Sequence, residues 1–233
     1  MKKTLVFTAT YNEAENIKIL VNKILLSNKY VDLLIVDDNS PDKTADLIDK
    51  LFRVNKRVKL IKRKKKLGLH TAHILGYSYA KKRKYDKLIT LDADLSHDPK
   101  EIKKFIKLLD VYSFVIGSRY MNGGKCEMTF FRYLISFFGN KLIKFVIKTN
   151  INEFTTSYRG FNLKRLSSFH LNETTNKGYS FFMETIYLLK KRKIRMKEIP
   201  ITFQNRTKGK SKISKIEIFR TFKNLNKIML KLS

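Results

Sequence analysis

Three aspartates and a histidine crowd into the ten residues TLDADLSHDP, from Thr90 to Pro99. Asp92 and Asp94 flank a single alanine directly after a short apolar run. Two carboxylates that close repel each other unless a cation lies between them. Hard divalent ions such as Mg²⁺ or Mn²⁺ take oxygen ligands, often one or two carboxylates completed by substrate phosphates. Capping of a following helix is the competing reading, and Asp98 before Pro99 fits that role.

Other strand ends carry similar chemistry. Asp37 and Asp38 open VDDNSPDKT, residues 36–44. Asp38-Asn39-Ser40-Pro41 favours a turn and a helix cap, which accounts for one aspartate. Asp37 remains, placed to hydrogen-bond a base or ribose. In TATYNEAEN, residues 8–16, Tyr11 can stack on a planar ring and Glu13 can accept from ring N–H groups or ribose hydroxyls. A plain helix start capped by Asn12 explains either one equally well.

The elements that must position these residues alternate. Strands are expected at Thr4–Ala9, Val31–Val36, Val58–Ile61, Lys87–Leu91 and Phe114–Ile116. Helices are expected at Glu13–Leu26, around Thr44–Phe52, at Leu69–Lys81 and at Pro99–Leu109. Continuous Val/Ile/Leu strands alternating with helices predict an α/β fold, a mostly parallel sheet covered on both faces. Ligands of such sheets bind beyond the carboxyl ends of the strands, where the acidic clusters fall. Further on, helices are predicted at Phe130–Lys148 and Phe181–Arg192 and a strand at Arg195–Ile201. The tail Lys212–Leu232 reads as an amphipathic helix, with Ile216, Phe219 and Phe222 on one face and Arg220, Lys223 and Lys227 on another.

Lys and Arg number 50 against 20 Asp and Glu, a formal charge of +30. That surplus suits a polyanionic partner such as nucleic acid, an anionic membrane or a phosphorylated substrate; a bias toward lysine explains much of it equally well. Hydrophobic residues make up 43% of the chain, so it is not a disordered basic protein. The lone Cys126 cannot form an internal disulfide. No signal peptide and no transmembrane segment are expected, since the window at 130–147 is broken by Arg132, Asn140, Lys141 and Lys144. The four histidines, His70, His73, His97 and His170, read as surface or packing residues.

TYNEAEN, VDDNSPDKT, KLGLHTAHILGY and DADLSHDP, in that order, resemble family 2 glycosyltransferases of the GT-A fold. GSRYMNGG, GYSFFMET, EIPITF and RTKGKSK narrow the likeness to the branch that makes dolichol- and polyprenol-phosphate mannose. The resemblance implies an inverting transfer of mannose from GDP-mannose to a polyprenyl phosphate with Mg²⁺ or Mn²⁺ as cofactor. It places nucleotide-sugar contacts at Ala9, Tyr11, Glu13, Ile35, Asp37, Asp92, Ala93 and Asp94. Asp94 falls on a metal ligand with Asp92 close by, and Ser96 falls where some members use another ligand. Arg119, Arg206 and Lys212 fall on residues that meet the donor diphosphate or the acceptor phosphate. The chain departs from the family at Ala9, Glu153, Thr156 and Phe182.

The catalytic domain is expected over residues 1–212, with a nucleotide half of about 1–118 and an acceptor half of about 119–212. Residues 213–233 form the terminal amphipathic helix. That helix and Phe130–Lys148 suit the interface of an anionic membrane, which places the protein at its cytoplasmic face; closing the core is the alternative for each apolar face. A UDP-glucose-dependent transferase or a polysaccharide-extending one keeps the fold and changes the substrates. A nucleic-acid-binding protein would explain the charge but not acids at the strand ends, so no nucleic acid partner is expected.

Overall fold

The computed structural model describes residues 3–205 together with Asn224 and Leu225. The first strands, β1 (Thr4–Thr10), β2 (Val31–Asp37) and β3 (Val58–Lys62), lie parallel. Helices α1 (Ala14–Ser27), α2 (Thr44–Phe52) and α3 (Leu69–Lys82) connect and follow them. Next come β4 (Lys87–Thr90), a short 3₁₀ turn at Pro99–Glu101, α4 (Ile102–Leu108) and β5 (Phe114–Ser118). The remainder is β6 (Lys125–Cys126), α5 (Phe130–Ile147), β7 (Arg159–Asn162), α6 (Ser180–Lys191), β8 (Met196–Pro200) and β9 (Thr202–Phe203).

Seven strands form one sheet in the order β3-β2-β1-β4-β7-β5-β8, and β6 pairs with β9 in a small parallel ribbon. The apolar runs are unbroken because both faces of the large sheet are covered. Leu5, Phe7, Leu34 and Val36 pack into a layer with residues of α3, α5 and α6. Val6, Leu33 and Ile35 pack into the opposite layer with residues of α1, α2 and α4. Each such side chain taken from water stabilises the fold by about 1.5–3 kcal/mol. α3 runs so close to β1 that a Cβ on Gly76 would stand 2.4 Å from the Phe7 ring. No helix among the described residues is long and apolar enough to cross a membrane.

Among the described residues the expected elements are present with ends shifted by a residue or two, and the helix expected at Pro99–Leu109 opens as a 3₁₀ turn. Three strands were not foreseen: β7 and the two-residue β6 and β9. β7 runs antiparallel between β4 and β5, so Gly160 pairs with both Ile89 and Val115. Its sequence, Arg-Gly-Phe-Asn, has no strand pattern because Arg159 is buried at the sheet centre. The guanidinium donates to the carbonyls of Thr156, Phe182 and Phe154, each at 2.8 Å. Burial pulls its pKa down to about 9, against the opposing pull of Glu153. α5 also differs from a plain core helix. Its inner face buries Asn140, Ile143, Val146 and Ile147, while Phe131, Phe138 and Phe145 stand 78, 60 and 79% exposed. The tail helix, Arg206 and Lys212 lie outside the described residues, apart from Asn224 and Leu225.

Candidate active site

β2, β1 and β4 are neighbours and parallel, so their carboxyl ends open side by side. Thr10 stands opposite Asp37, and Phe7 stands opposite Thr90. The loops carrying Tyr11 and Glu13, Asp37 and Asp38, and Asp92 and Asp94 therefore share one edge of the sheet, as the sequence pattern requires.

The first two loops are tied to each other. The Asn12 N–H donates to Ser40 Oγ and the Glu13 N–H to Thr44 Oγ1, both at 3.0 Å. Glu13, not Asn12, is the residue before α1, and Asp42 of the neighbouring loop accepts the Ala14 N–H at 3.0 Å. Glu13 also accepts from Asn16 Nδ2 at 2.9 Å. Asp37 takes the turn role: it accepts from Thr10 Oγ1, Ser40 Oγ and the Ser40 N–H at 2.8, 2.6 and 2.9 Å. Asp38 organises the basic loop after β3. It accepts the N–H groups of Leu67 and Gly68 at 2.8 and 2.7 Å and pairs with Arg63 at 3.0 Å. That loop sets Lys66 Nζ 3.7 Å from the centre of the Tyr11 ring. Ile35 is fully buried in the core layer of α1 and α2, so its side chain packs below the site instead of lining it. Ala93 is buried in the same layer, and Ala9 is partly buried on β1.

At the mouth of β4, Asp94 is buried and its Oδ1 accepts from the Ser96 N–H and hydroxyl at 3.1 and 2.6 Å. Ser96 is fully buried and braces that carboxylate. The Asp92 side chain is 34% exposed, and its Oδ1 accepts from Ser157 Oγ at 2.6 Å. Asp98 caps the next turn through the Lys100 N–H at 3.0 Å. His97 is buried beside these residues, and its Nδ1 accepts the Asp92 N–H at 3.2 Å. Burial lowers its pKa, against the upward pull of Asp92 and Asp94. Because Nδ1 accepts the Asp92 N–H it carries no proton there, so its 3.8 Å approach to Asp92 Oδ2 is no ion pair.

The segment leading into β7 closes the site. Arg119, at the end of β5, is buried and donates through Nε and Nη2 to Glu153 at 2.7 and 2.8 Å, and to Thr155 Oγ1 at 2.8 Å. Its charge is neutralised inside the protein, so in this structure Arg119 holds a loop. Burial opposes ionisation of both partners and their mutual attraction overrides it. The arginine pKa is raised and that of Glu153 lowered. Glu198 of β8 holds the same segment, accepting the N–H groups of Asn152 and Glu153 at 2.7 and 3.0 Å. His73 lies among Phe7, Phe181 and Phe182, and Phe182 also faces the Arg159 guanidinium at 4.7 Å.

Among the described residues no three His, Cys, Asp or Glu side chains converge on one metal position. Asp92 and Asp94 are an all-oxygen pair at a strand mouth. That donor set fits a hard divalent ion whose shell is completed by substrate phosphate, and it does not fit a closed structural cage. β7, Ser157 and His97 were the parts of the site that sequence reasoning missed. The histidine in DADLSHDP, so close to two acids, was the available signal.

Residues 5–168 match the family model described as Glycosyl transferase family 2. The polyprenol monophosphomannose synthase of Mycolicibacterium smegmatis is 34% identical over 216 residues, 91% of this chain and 82% of that protein. The undecaprenyl-phosphate mannosyltransferase of Micrococcus luteus is 32% identical over 213 residues, 91% of this chain and 88% of that protein. Among solved structures, the glucosyl-3-phosphoglycerate synthase of Mycobacterium tuberculosis, with Mn²⁺ and UDP bound, superposes with a TM-score of 0.72. The match covers 99% of this chain and 79% of that one at 12% identity, a likeness of fold.

Proposed function

The chain belongs to glycosyl transferase family 2, and from that premise we propose that this GT-A glycosyltransferase moves mannose from GDP-mannose to a polyprenyl phosphate with inversion at the anomeric carbon. The observation that carries the reading is the meeting of Asp92 and Asp94 with the Tyr11 loop at one sheet edge. The mannosyltransferases that match over nine tenths of the chain support the choice of sugar and acceptor.

Tyr11 offers a ring face and Glu13 a carboxylate to the nucleoside, on loops cross-braced by Ser40, Asp42 and Thr44. Asp94, with Asp92 beside it, would hold Mg²⁺ or Mn²⁺, and Ser96 fixes the direction of Asp94. When bound, the ion supplies Lewis-acid neutralisation of the departing diphosphate. Arg206 and Lys212 are proposed to add positive charge where the phosphates meet. The acceptor phosphate, with a second pKa around 6, is ionised at neutral pH and needs no strong base. Its oxygen forms the bond to the anomeric carbon as the bond to the nucleoside diphosphate breaks.

A lipid acceptor has to be met at a membrane, and α5 suits that task. Its outward phenylalanines share the exposed face with Arg132 and Lys141, while its inner side holds the acceptor-side segment, Asn140 accepting the Phe154 N–H at 2.8 Å and Lys144 donating to Asn152 Oδ1 at 2.7 Å. Such a helix lies in an anionic interface with its apolar face down. Radiolabelled GDP-mannose and UDP-glucose, offered in parallel with polyprenyl phosphate and a divalent metal, test the reading. Labelled lipid from GDP-mannose supports it, and label from UDP-glucose alone replaces mannose by glucose.

A further inference from the structure

Three segments of the site meet on one imidazole. His97 is 1% exposed. Its Nδ1 faces the Asp92 main-chain N–H at 3.2 Å, and an N–H can only donate. The proton of the neutral ring therefore sits on Nε2, which faces Thr156 Oγ1 at 3.2 Å. One flank of the ring lies 4.9 Å from Tyr158, and Phe203 of β9 meets it edge-on at 5.7 Å. Phe203 leads into Gln204, whose N–H donates to the Ser96 carbonyl at 3.1 Å. The turn carrying Asp92 and Asp94, the segment before β7, and β9 thus touch the same side chain. From the residue after Thr156, Ser157 Oγ grips the Asp92 carboxylate itself at 2.6 Å.

We propose that His97 and Ser157 are positioning residues that fix Asp92 at two points, its main chain and its carboxylate, for binding the divalent ion. The inference rests on the function proposed above. A histidine serving only as filler in an aromatic pocket would be replaceable by phenylalanine. Phenylalanine cannot accept the Asp92 N–H, so that turn would lose its register while the pocket stayed filled. Asparagine is smaller and fills the pocket worse, yet its Oδ1 can accept at the Nδ1 position. Packing and positioning therefore rank the two variants in opposite order.

The test is Mn²⁺ titration of the full chain in the presence of GDP, read by the electron paramagnetic resonance signal of free Mn²⁺, with thermal melting run alongside. His97→Phe is expected to weaken Mn²⁺ binding by about 10- to 100-fold, the range seen when residues behind metal ligands are removed. His97→Asn should recover most of that loss although it melts lower than His97→Phe. Ser157→Ala, which leaves the aromatic pocket intact, should weaken binding by about 10-fold. Mn²⁺ affinity in His97→Phe and Ser157→Ala within about twofold of the parent, or losses that follow melting temperature in all variants, would overturn the proposal. If His97→Phe does not fold, the Ser157→Ala and His97→Asn results decide it. Failure of the parent protein to bind Mn²⁺ with GDP would overturn the proposed function and this inference together; normal parent binding with unchanged variants overturns the inference alone.

Discussion

Arg119 and Glu153 face each other fork to fork, Nε to Oε2 at 2.7 Å and Nη2 to Oε1 at 2.8 Å, in surroundings closed to water. The pair joins the end of β5 to the segment that enters β7. Breaking a buried pair leaves an uncompensated charge and costs about 3–5 kcal/mol. Glu153→Ala and Arg119→Ala should each lower unfolding free energy by about that amount in urea titrations. The double variant should lose much less than the sum, because no orphaned charge remains. Because Glu153 has a lowered pKa, its share of stability is present above the ordinary carboxylate value and is lost as pH falls through the depressed one.

Asp38 holds the basic loop through two N–H groups and Arg63. Asp38→Ala should release Arg63–Gly68 and with it the Lys66 contact on Tyr11. We expect KM for the nucleotide sugar to rise about 10-fold or more while kcat changes little, since removal of uniform binding shows in KM. Steady-state kinetics with varied donor checks this, and limited trypsin cleavage at Lys64–Lys66 should accelerate in parallel.

His73 is buried among aromatic rings, and burial drives its pKa from 6.5 to about 3, with Arg159 and His70 pushing the same way. The unfolded chain therefore takes up a proton that the folded chain refuses. Stability from this source is complete above about pH 6.5 and declines as pH falls, by about 1.4 kcal/mol per unit. Urea midpoints measured between about pH 7 and 5 should fall in the parent and fall less steeply in His73→Leu.

The outer face of α5 can be tested without disturbing the core. Phe131→Glu with Phe138→Glu should leave the melting temperature nearly unchanged, since both rings are already exposed. The same change should abolish co-sedimentation with anionic liposomes. Binding of the parent should weaken with added salt, as screened headgroup attraction requires.

The parallel half of the fold was legible because β1 and β2 are buried on both faces and so carry apolar runs, Leu5–Phe7 and Leu33–Val36. β7 was hidden because it opens with a buried arginine, Arg159, satisfied by the nearby carbonyls of Phe154 and Thr156 and by that of Phe182, 23 positions on. Spacing showed that Asp92 and Asp94 end a strand. It could not show that Ser157, 65 positions on, would hold Asp92, since an antiparallel strand brings them together. The same limit affected the caps: Asp42 supplies α1 with an acceptor from another loop, 28 positions away. Nor does spacing show that Arg119, which the resemblance places at a phosphate, meets Glu153, 34 positions away. A motif shows which residues reach the mouth of the sheet; only the fold shows which of them are already engaged there.

The most direct measurement is the initial rate of mannose transfer from radiolabelled GDP-mannose to polyprenyl phosphate by the parent protein and by Asp94→Ala, with Mg²⁺ or Mn²⁺ present and again with the metal chelated. The account predicts labelled lipid from the parent with metal, none after chelation, and a loss of about 100-fold or more in Asp94→Ala with its melting temperature preserved. Full activity in Asp94→Ala, or transfer that continues unchanged without metal, would contradict it.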